Sequence, residues 1–290
     1  MSGRFEELGW QQTPMGLISL RRRYDLSVCT DVYEVKLDDE YVMTSLFTVA
    51  ERELARLGLA RTSGTDLDVV IGGLGLGYTA REALMCNRIT SLTVIEYAES
   101  VIDWHKRDLL PDTTGLAADS RVTLVCADFF GAAMSTAGFD PASPGRTYDA
   151  ILLDIDHSPR HVLNRPHADF YTYEGLRAAS AHLAPGGTFA MWSDEAPDDN
   201  FCATLRAVFT DVEAQQVWFD NPLTRGRSAA TIYLATRPKN PPANESNSDG
   251  EPWYGGADDS IMRTVLNTAP GLRVVVRKFR RLIRSTTWTG

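Results

Sequence analysis

The chain has 290 residues, 43% hydrophobic and 23% charged, with a formal net charge of −9. That length accommodates one large α/β domain with a small appendage. The acidic balance argues against a general nucleic-acid binder, which would carry a basic surface, and suits a cationic small substrate. No run of 18 apolar residues occurs, so no membrane span is expected. The first ten residues carry Glu6 and Glu7 and no apolar stretch, so a cytoplasmic protein without a signal peptide is expected. Cys29, Cys86, Cys126 and Cys202 form no C-x-x-C pair, and their apolar contexts predict buried free thiols in a reducing compartment.

Residues 17–45 read as a small β unit. Segments 32–37 and 40–43 alternate apolar and polar residues around Asp38-Asp39, which predicts a hairpin. Residues 46–59 read as a helix with Leu46, Val49, Leu54 and Leu57 on its apolar face. From Asp66 onward short apolar strands alternate with helices. Strands are read at 68–71, 91–96, 122–127, 148–154, 188–192, 212–219 and 229–235, and helices at 79–86, 100–109, 173–182 and 199–209. Leu183-Ala184-Pro185-Gly186-Gly187 reads as a helix stop and a turn into the strand at 188. The alternation predicts an α/β fold: a doubly wound, mostly parallel seven-stranded sheet covered on both faces. The short link at 220–226 predicts an antiparallel hairpin at its far edge. The expected division is a small N-terminal β unit over 1–50, a catalytic domain over 51–237, and a linker and tail over 238–290. Segment 238–259 is rich in Pro, Gly, Ser, Asn and acids, as flexible linkers are. Segment 271–284 sets six basic residues among apolar ones; it reads as a tail that is disordered or docks on the chain's own acidic surface, ahead of a membrane-touching helix.

Residues 68–77, Asp-Val-Val-Ile-Gly-Gly-Leu-Gly-Leu-Gly, run from an apolar strand into four glycines, and a helix start follows. Glycine lets the backbone turn at positive φ and lets a ligand approach a helix N-terminus without meeting a Cβ. Gly73, Gly75 and Gly77 make G-x-G-x-G. The dinucleotide fingerprint G-x-G-x-x-G needs a glycine where Leu76 or Tyr78 stands, so the spacing points away from NAD and towards an adenosyl-sulfonium cofactor.

Ligands of open parallel sheets sit beyond the carboxyl ends of the strands. The residues there form a series of acids. Glu96 follows the second strand and suits both ribose hydroxyls. Asp128 follows the third and suits an adenine amino group, with Phe129 against the ring. Asp154-Ile155-Asp156-His157 follows the fourth, and Ser193-Asp194-Glu195 the fifth. Each acid alone reads as a helix cap or turn residue; the ordered set reads as a nucleotide site.

Residues 154–157 are the expected catalytic segment. A sulfonium makes the transferred carbon electrophilic, so the protein must supply a neutral nucleophile in line with the leaving sulfur. An alkylamine of pKa about 10.4 costs about 4.6 kcal/mol to deprotonate at pH 7. Asp154 is the candidate base or amine anchor, and Asp156 or His157 the second group. Tyr171 and Asp194 are candidate substrate contacts. His157, His161 and His167 have metal-like spacings but lie in a loop with Pro159 and Pro166, so no metal is expected; one histidine is expected to line the acceptor pocket.

The strand-G-x-G-x-G-helix unit, Glu96, Asp128, the strand ending at Asp154 and the L-x-P-G-G turn resemble the class I S-adenosylmethionine-dependent methyltransferase fold. More narrowly, roughly residues 15–237 resemble the spermidine synthase (polyamine aminopropyltransferase) family. The resemblance implies adenosyl binding by Gly73, Gly75, Gly77, Glu96 and Asp128, a catalytic role for Asp154, and a homodimer through the N-terminal β unit. Three elements that face the polyamine in that family are altered. The aspartate of G-G-G-D-G-G is replaced by Leu74 or Leu76. D-S-S-D reads Asp154-Ile155-Asp156-His157, and the Tyr-His-Glu-like segment reads Met43-Thr44-Ser45-Leu46. The loop aspartate serves the amine of decarboxylated S-adenosylmethionine and would repel the carboxylate of the intact cofactor. Its absence points to methyl transfer from S-adenosylmethionine to an amine-bearing small molecule, ahead of aminopropyl transfer. An NAD-dependent oxidoreductase and a cofactor-binding protein without chemistry are the rival readings.

Overall fold

Alternating polar and apolar residues build the first sheet. Its strands are β1 (Phe5–Thr13), β2 (Gly16–Asp25), β3 (Thr30–Leu37) and β4 (Glu40–Thr44), antiparallel in the order β1-β2-β3-β4. The hairpin read from sequence is β3–β4. β1 went unread because it is an edge strand with little burial, so no apolar alternation marks it. Ile18 pairs with Leu37 and Leu20 with Val35 on one face. On the other face Arg21 and Arg23 close on Glu34 at 2.7 and 2.8 Å. These coordinates are a computed structural model and describe residues 5–13 and 16–239. All of the expected linker and basic tail beyond Lys239 lies outside the described residues.

The second sheet comprises β5 (Leu67–Gly72), β6 (Ile89–Glu96), β7 (Val122–Cys126), β8 (Tyr148–Leu153), β9 (Leu183–Ser193), β10 (Thr210–Asn221) and β11 (Gly226–Thr236). Its order is β10-β11-β9-β8-β5-β6-β7. The strands from β9 to β7 are parallel, and β11 runs antiparallel to both β9 and β10. The doubly wound sheet with an antiparallel edge is therefore as expected. The helices are α1 (Val49–Arg61), α2 (Tyr78–Leu84), α3 (Glu99–Lys106), α4 (Phe129–Met134), α5 (Tyr173–Ser180) and α6 (Asp199–Val208). Val69 and Ile71 enter one core with Leu54, Leu92 and Trp104. Val70 enters the other, with Phe129, Phe139, Phe170 and Phe189. Period-2 alternation feeding two buried faces explains why these strands read as continuous apolar runs.

Several local expectations are corrected. The buried face of α1 is Ala50, Leu54, Ala55, Gly58 and Leu59, while Val49 is exposed. A Cβ on Gly58 would stand 2.6 Å from Leu152 Cδ2, so close approach to the sheet, not the size of the apolar residues, sets the face. The 183–187 turn lies inside β9, because Leu183 already pairs with Tyr148 before a register shift. α4, unread in the sequence, starts where Asp128 caps it. Of the cysteines only Cys202 is buried. Cys29 sits in the β2–β3 turn and Cys126 ends the edge strand β7, and both are exposed. No helix among the described residues is long and apolar enough to cross a membrane.

β5, β6 and β7 extend the sheet one way. The chain then crosses to β8 on the other side of β5. Where successive connections diverge, a crevice opens beyond the strand carboxyl ends.

Candidate active site

The turn after β5 shapes that crevice. Gly73 has φ +93°, and a Cβ there would lie 2.3 Å from the Asp154 carbonyl oxygen. Both the left-handed conformation and the contact between the β5 and β8 turns therefore require glycine. Gly75 and Gly77 also have positive φ. Gly73 and Gly75 border a cavity of about 330 Å³, whereas Gly77 caps α2 and packs beside His105.

Strand ends supply one part of the lining: Glu96 and Tyr97 from β6, Asp128 and Phe129 beyond β7, Asp154 and Ile155 beyond β8. The first sheet supplies another: Ile18, Val35, Leu37, Val42 and Met43. Val42 and Met43 are consecutive, and in a regular strand they would point to opposite faces. Val35 pairs with Met43 and Lys36 with Tyr41, which leaves Val42 as the extra residue of a bulge. The bulge turns both side chains to the cavity.

Glu96 is held by backbone donors. Its Oε2 accepts from the Leu74 and Gly75 amides at 3.0 and 3.4 Å, and Oε1 from the Ala98 amide at 2.8 Å. Burial nevertheless pushes its carboxyl above the usual range. The Tyr97 amide adds a further backbone contact, so the carboxylate is fixed at the mouth of the glycine turn. Asp128 caps α4 through Oδ1, which accepts the Phe130 amide at 3.0 Å. Among the described residues no donor reaches its Oδ2. Phe129 is buried under Gly72 and stacked on Phe139 at 5.0 Å, so it is a core residue that also borders the cavity. Asp154 is half-buried; its Oδ2 accepts the Thr79 hydroxyl at 2.6 Å. An adenosyl group fits this set: a glycine turn open to a ligand, the Glu96 carboxylate bordering the cavity beside it, and an acceptor position on Asp128.

Besides Gly77, four candidates do not reach the cavity. Asp156 is buried, its Oδ1 accepting the Leu163 amide at 2.7 Å and facing His167 Nδ1 at 3.2 Å, its Oδ2 accepting the Tyr171 hydroxyl at 2.8 Å. It ties the loop together, off the cavity lining. Tyr171 lies in the core beneath it, where burial, and then the Asp156 charge, push its hydroxyl well above the ordinary range. His157 is only 3% exposed, and its carbonyl accepts the Asp194 amide at 2.8 Å. That contact binds the β8 loop to the end of β9 and leaves neither residue on the cavity. The physical reason is the path of the chain: after Ile155 it turns into the protein and returns to the cavity only at Leu163, Asn164 and His167.

His167 is the residue that sequence reasoning did not single out. Its ring stacks on Phe130 at 4.0 Å and borders the cavity while Nδ1 faces Asp156. The only signal was the expectation that one of three histidines lines the pocket. His161 instead meets Ser158 Oγ and Glu195 Oε1, each at 3.2 Å. Among the described residues no three His, Cys, Asp or Glu side chains gather into a metal-holding group. Leu74 and Leu76 are 4% and 2% exposed, and both point into the core, off the cavity.

No family model matches the chain. It is 34% identical over 139 residues to the polyamine aminopropyltransferase of Corynebacterium efficiens, covering 48% of this chain and 24% of that protein. It is 28% identical over 152 residues to the polyamine aminopropyltransferase of Sulfolobus acidocaldarius, covering 51% and 47%. The matches thus span less than half the length of either relative. Among solved structures, spermidine synthase from Thermotoga maritima superposes with a TM-score of 0.59 at 19% identity, over 81% of this chain and 72% of that one. A spermidine synthase in complex with the transition state analogue AdoDATO gives 0.58, also at 19% identity over 81% and 72%. A probable spermidine synthase from Corynebacterium glutamicum gives 0.55 at 18% identity over 79% of each chain. At these identities the structures bear on the fold, and the two relatives bear on the sequence. The chain thus has the fold of the solved spermidine synthases, and about half of it is similar in sequence to two polyamine aminopropyltransferases.

Proposed function

We propose that the protein transfers the aminopropyl group of decarboxylated S-adenosylmethionine to a small amine. The observation that carries this reading is Asp154, held by Thr79 at the end of β8 and sharing one cavity with the glycine turn, Glu96 and Asp128. Both curated relatives are aminopropyltransferases, which supports this reaction over the methyl transfer that the loop leucines suggested. The leucines lose part of their weight because both are core residues. Methyl transfer stays as the second reading, since the glycine turn presents no carboxylate to a donor's ammonium. The relatives lend no support to an NAD-dependent oxidoreductase.

The donor supplies a carbon activated by the sulfonium. Asp154 anchors the ammonium of the aminopropyl chain, and its bond from Thr79 fixes the carboxylate's orientation. His167 takes the proton of the acceptor ammonium: Nδ1 faces the Asp156 carboxylate, which holds the tautomer with its hydrogen there and leaves the Nε2 lone pair for the amine. Imidazole is better matched than a carboxylate to accept a proton from an alkylammonium near neutral pH. The freed amine nitrogen attacks the carbon next to sulfur. The C–N bond forms as the C–S bond breaks, and its electron pair stays on sulfur as 5′-methylthioadenosine.

Two measurements test this. A donor at 100 times its Kd should stabilise the protein by about 2.7 kcal/mol. A larger thermal shift with decarboxylated than with intact S-adenosylmethionine is expected; the reverse order would favour methyl transfer, and protection by NADH alone would favour the oxidoreductase. His167→Gln should lower kcat on the order of 10²–10⁴-fold near pH 7.5. That loss should shrink as pH approaches the acceptor amine's pKa, because the amine then needs no base. An equal loss at every pH would remove His167 from proton transfer.

A further inference from the structure

We propose that the acceptor is a monoamine with an apolar remainder, an alkylamine or arylalkylamine, and not an α,ω-diamine; this rests on the transferase reading above. Among the described residues three carboxylates border the cavity: Glu96, Asp128 and Asp154. Glu96 is bound to backbone amides and Asp128 caps α4, both at the β6 and β7 ends where the adenosyl group fits. Asp154 is taken by the donor's own ammonium. The acceptor's reacting nitrogen gives its proton to His167 and attacks uncharged, so it needs no carboxylate. A second ammonium on the acceptor would need one, and no further carboxylate among the described residues borders the cavity.

That second charge would instead meet the wall from the first sheet, where Ile18, Val35, Leu37, Val42 and Met43 present only hydrocarbon and a thioether. Placing an ammonium there without a counter-charge is strongly disfavoured, because its hydration is lost and nothing replaces it. A hydrocarbon tail gains from the same surface. The bulge strengthens this by turning Val42 inward beside Met43, where a regular strand would have presented one of the two.

The test follows 5′-methylthioadenosine release from decarboxylated S-adenosylmethionine with hexylamine, phenethylamine, 1,4-diaminobutane and 1,6-diaminohexane. Hexylamine and 1,6-diaminohexane have equal chains and differ in one terminal ammonium. The expected result is a kcat/KM on the order of 10²-fold higher for the monoamines. Equal or faster use of either diamine overturns the acceptor assignment and leaves the transferase reading standing. No release with any amine, while the donor still protects the protein from heat, overturns the transferase reading itself and the acceptor assignment with it. Leu37→Glu puts a carboxylate on the half-buried edge of the apolar wall and should narrow the monoamine preference by about tenfold or more. Val42→Glu serves the same purpose if the first variant fails to fold. A folded variant with an unchanged ratio also overturns the assignment.

Discussion

Asp154→Asn should lower kcat/KM for aminopropyl transfer on the order of 10²–10⁴-fold while leaving the melting temperature close to that of the parent. The amide oxygen still accepts the Thr79 hydroxyl, which now stands 2.6 Å from Oδ2. The backbone bond from the Asp154 amide to the Gly72 carbonyl, 2.8 Å, is untouched. What is removed is the negative charge facing the cavity. Leaving a desolvated ammonium without its partner costs about 3–5 kcal/mol, and each 1.36 kcal/mol is about tenfold in rate. The loss should appear with donor and acceptor both saturating as well as at low concentration, because positioning of the donor chain is lost throughout. Steady-state kinetics of 5′-methylthioadenosine release and a parallel melting curve separate the outcomes. A variant that melts many degrees lower with unchanged turnover would make Asp154 a structural brace between β8 and α2. A variant unchanged in both would remove Asp154 from the reaction, and no release by the parent itself would favour the cofactor-binding protein without chemistry.

Leu76→Asp should destabilise the protein by about 3–5 kcal/mol or more, and should not create an anchor for the donor's ammonium. By sequence the substitution looks like a restoration, since an aspartate stands in this loop in the family that the chain resembles. In three dimensions Leu76 is 2% exposed and packed in the core that contains Leu54 and Trp104. Its carbonyl accepts the buried Thr113 hydroxyl at 3.2 Å, which fixes the backbone and therefore the direction of the side chain. The variant loses apolar burial and places a carboxylate among hydrocarbon. Against a total stability of about 5–15 kcal/mol, such a cost is a large fraction. Leu76→Met, which conserves volume, should cost less than about 1.5 kcal/mol. Denaturant unfolding of the two variants checks the contrast. Full stability for Leu76→Asp together with tighter binding of decarboxylated S-adenosylmethionine would show that this side chain reaches the cavity after all.

The sequence by itself determined the sheet and the order in which chemistry is laid along it. In a parallel sheet every strand delivers its carboxyl end to the same side, so the turns after β5, β6, β7 and β8 converge on one cavity. Glu96, Asp128 and Asp154 were legible for that reason, and so were the glycines at 73 and 75. The antiparallel far edge was legible because a link of seven residues is too short to cross the sheet.

Tertiary structure decided which way the intervening side chains point. Asp156 lies two residues beyond Asp154 and reads as equally available, yet the loop's inward turn buries it and brings His167, eleven residues on, to the cavity in its place. Leu74 and Leu76 can be seen as replacements in the sequence, but only the left-handed glycines on either side of them show that both face the core. The apolar wall opposed to a second charge comes from a different sheet, through a bulge at Val42 that no periodicity announces. Strand order depends on local apolar runs and is written residue by residue. Loop direction, bulge register and wall assembly depend on contacts between segments far apart in the chain, which no local pattern encodes.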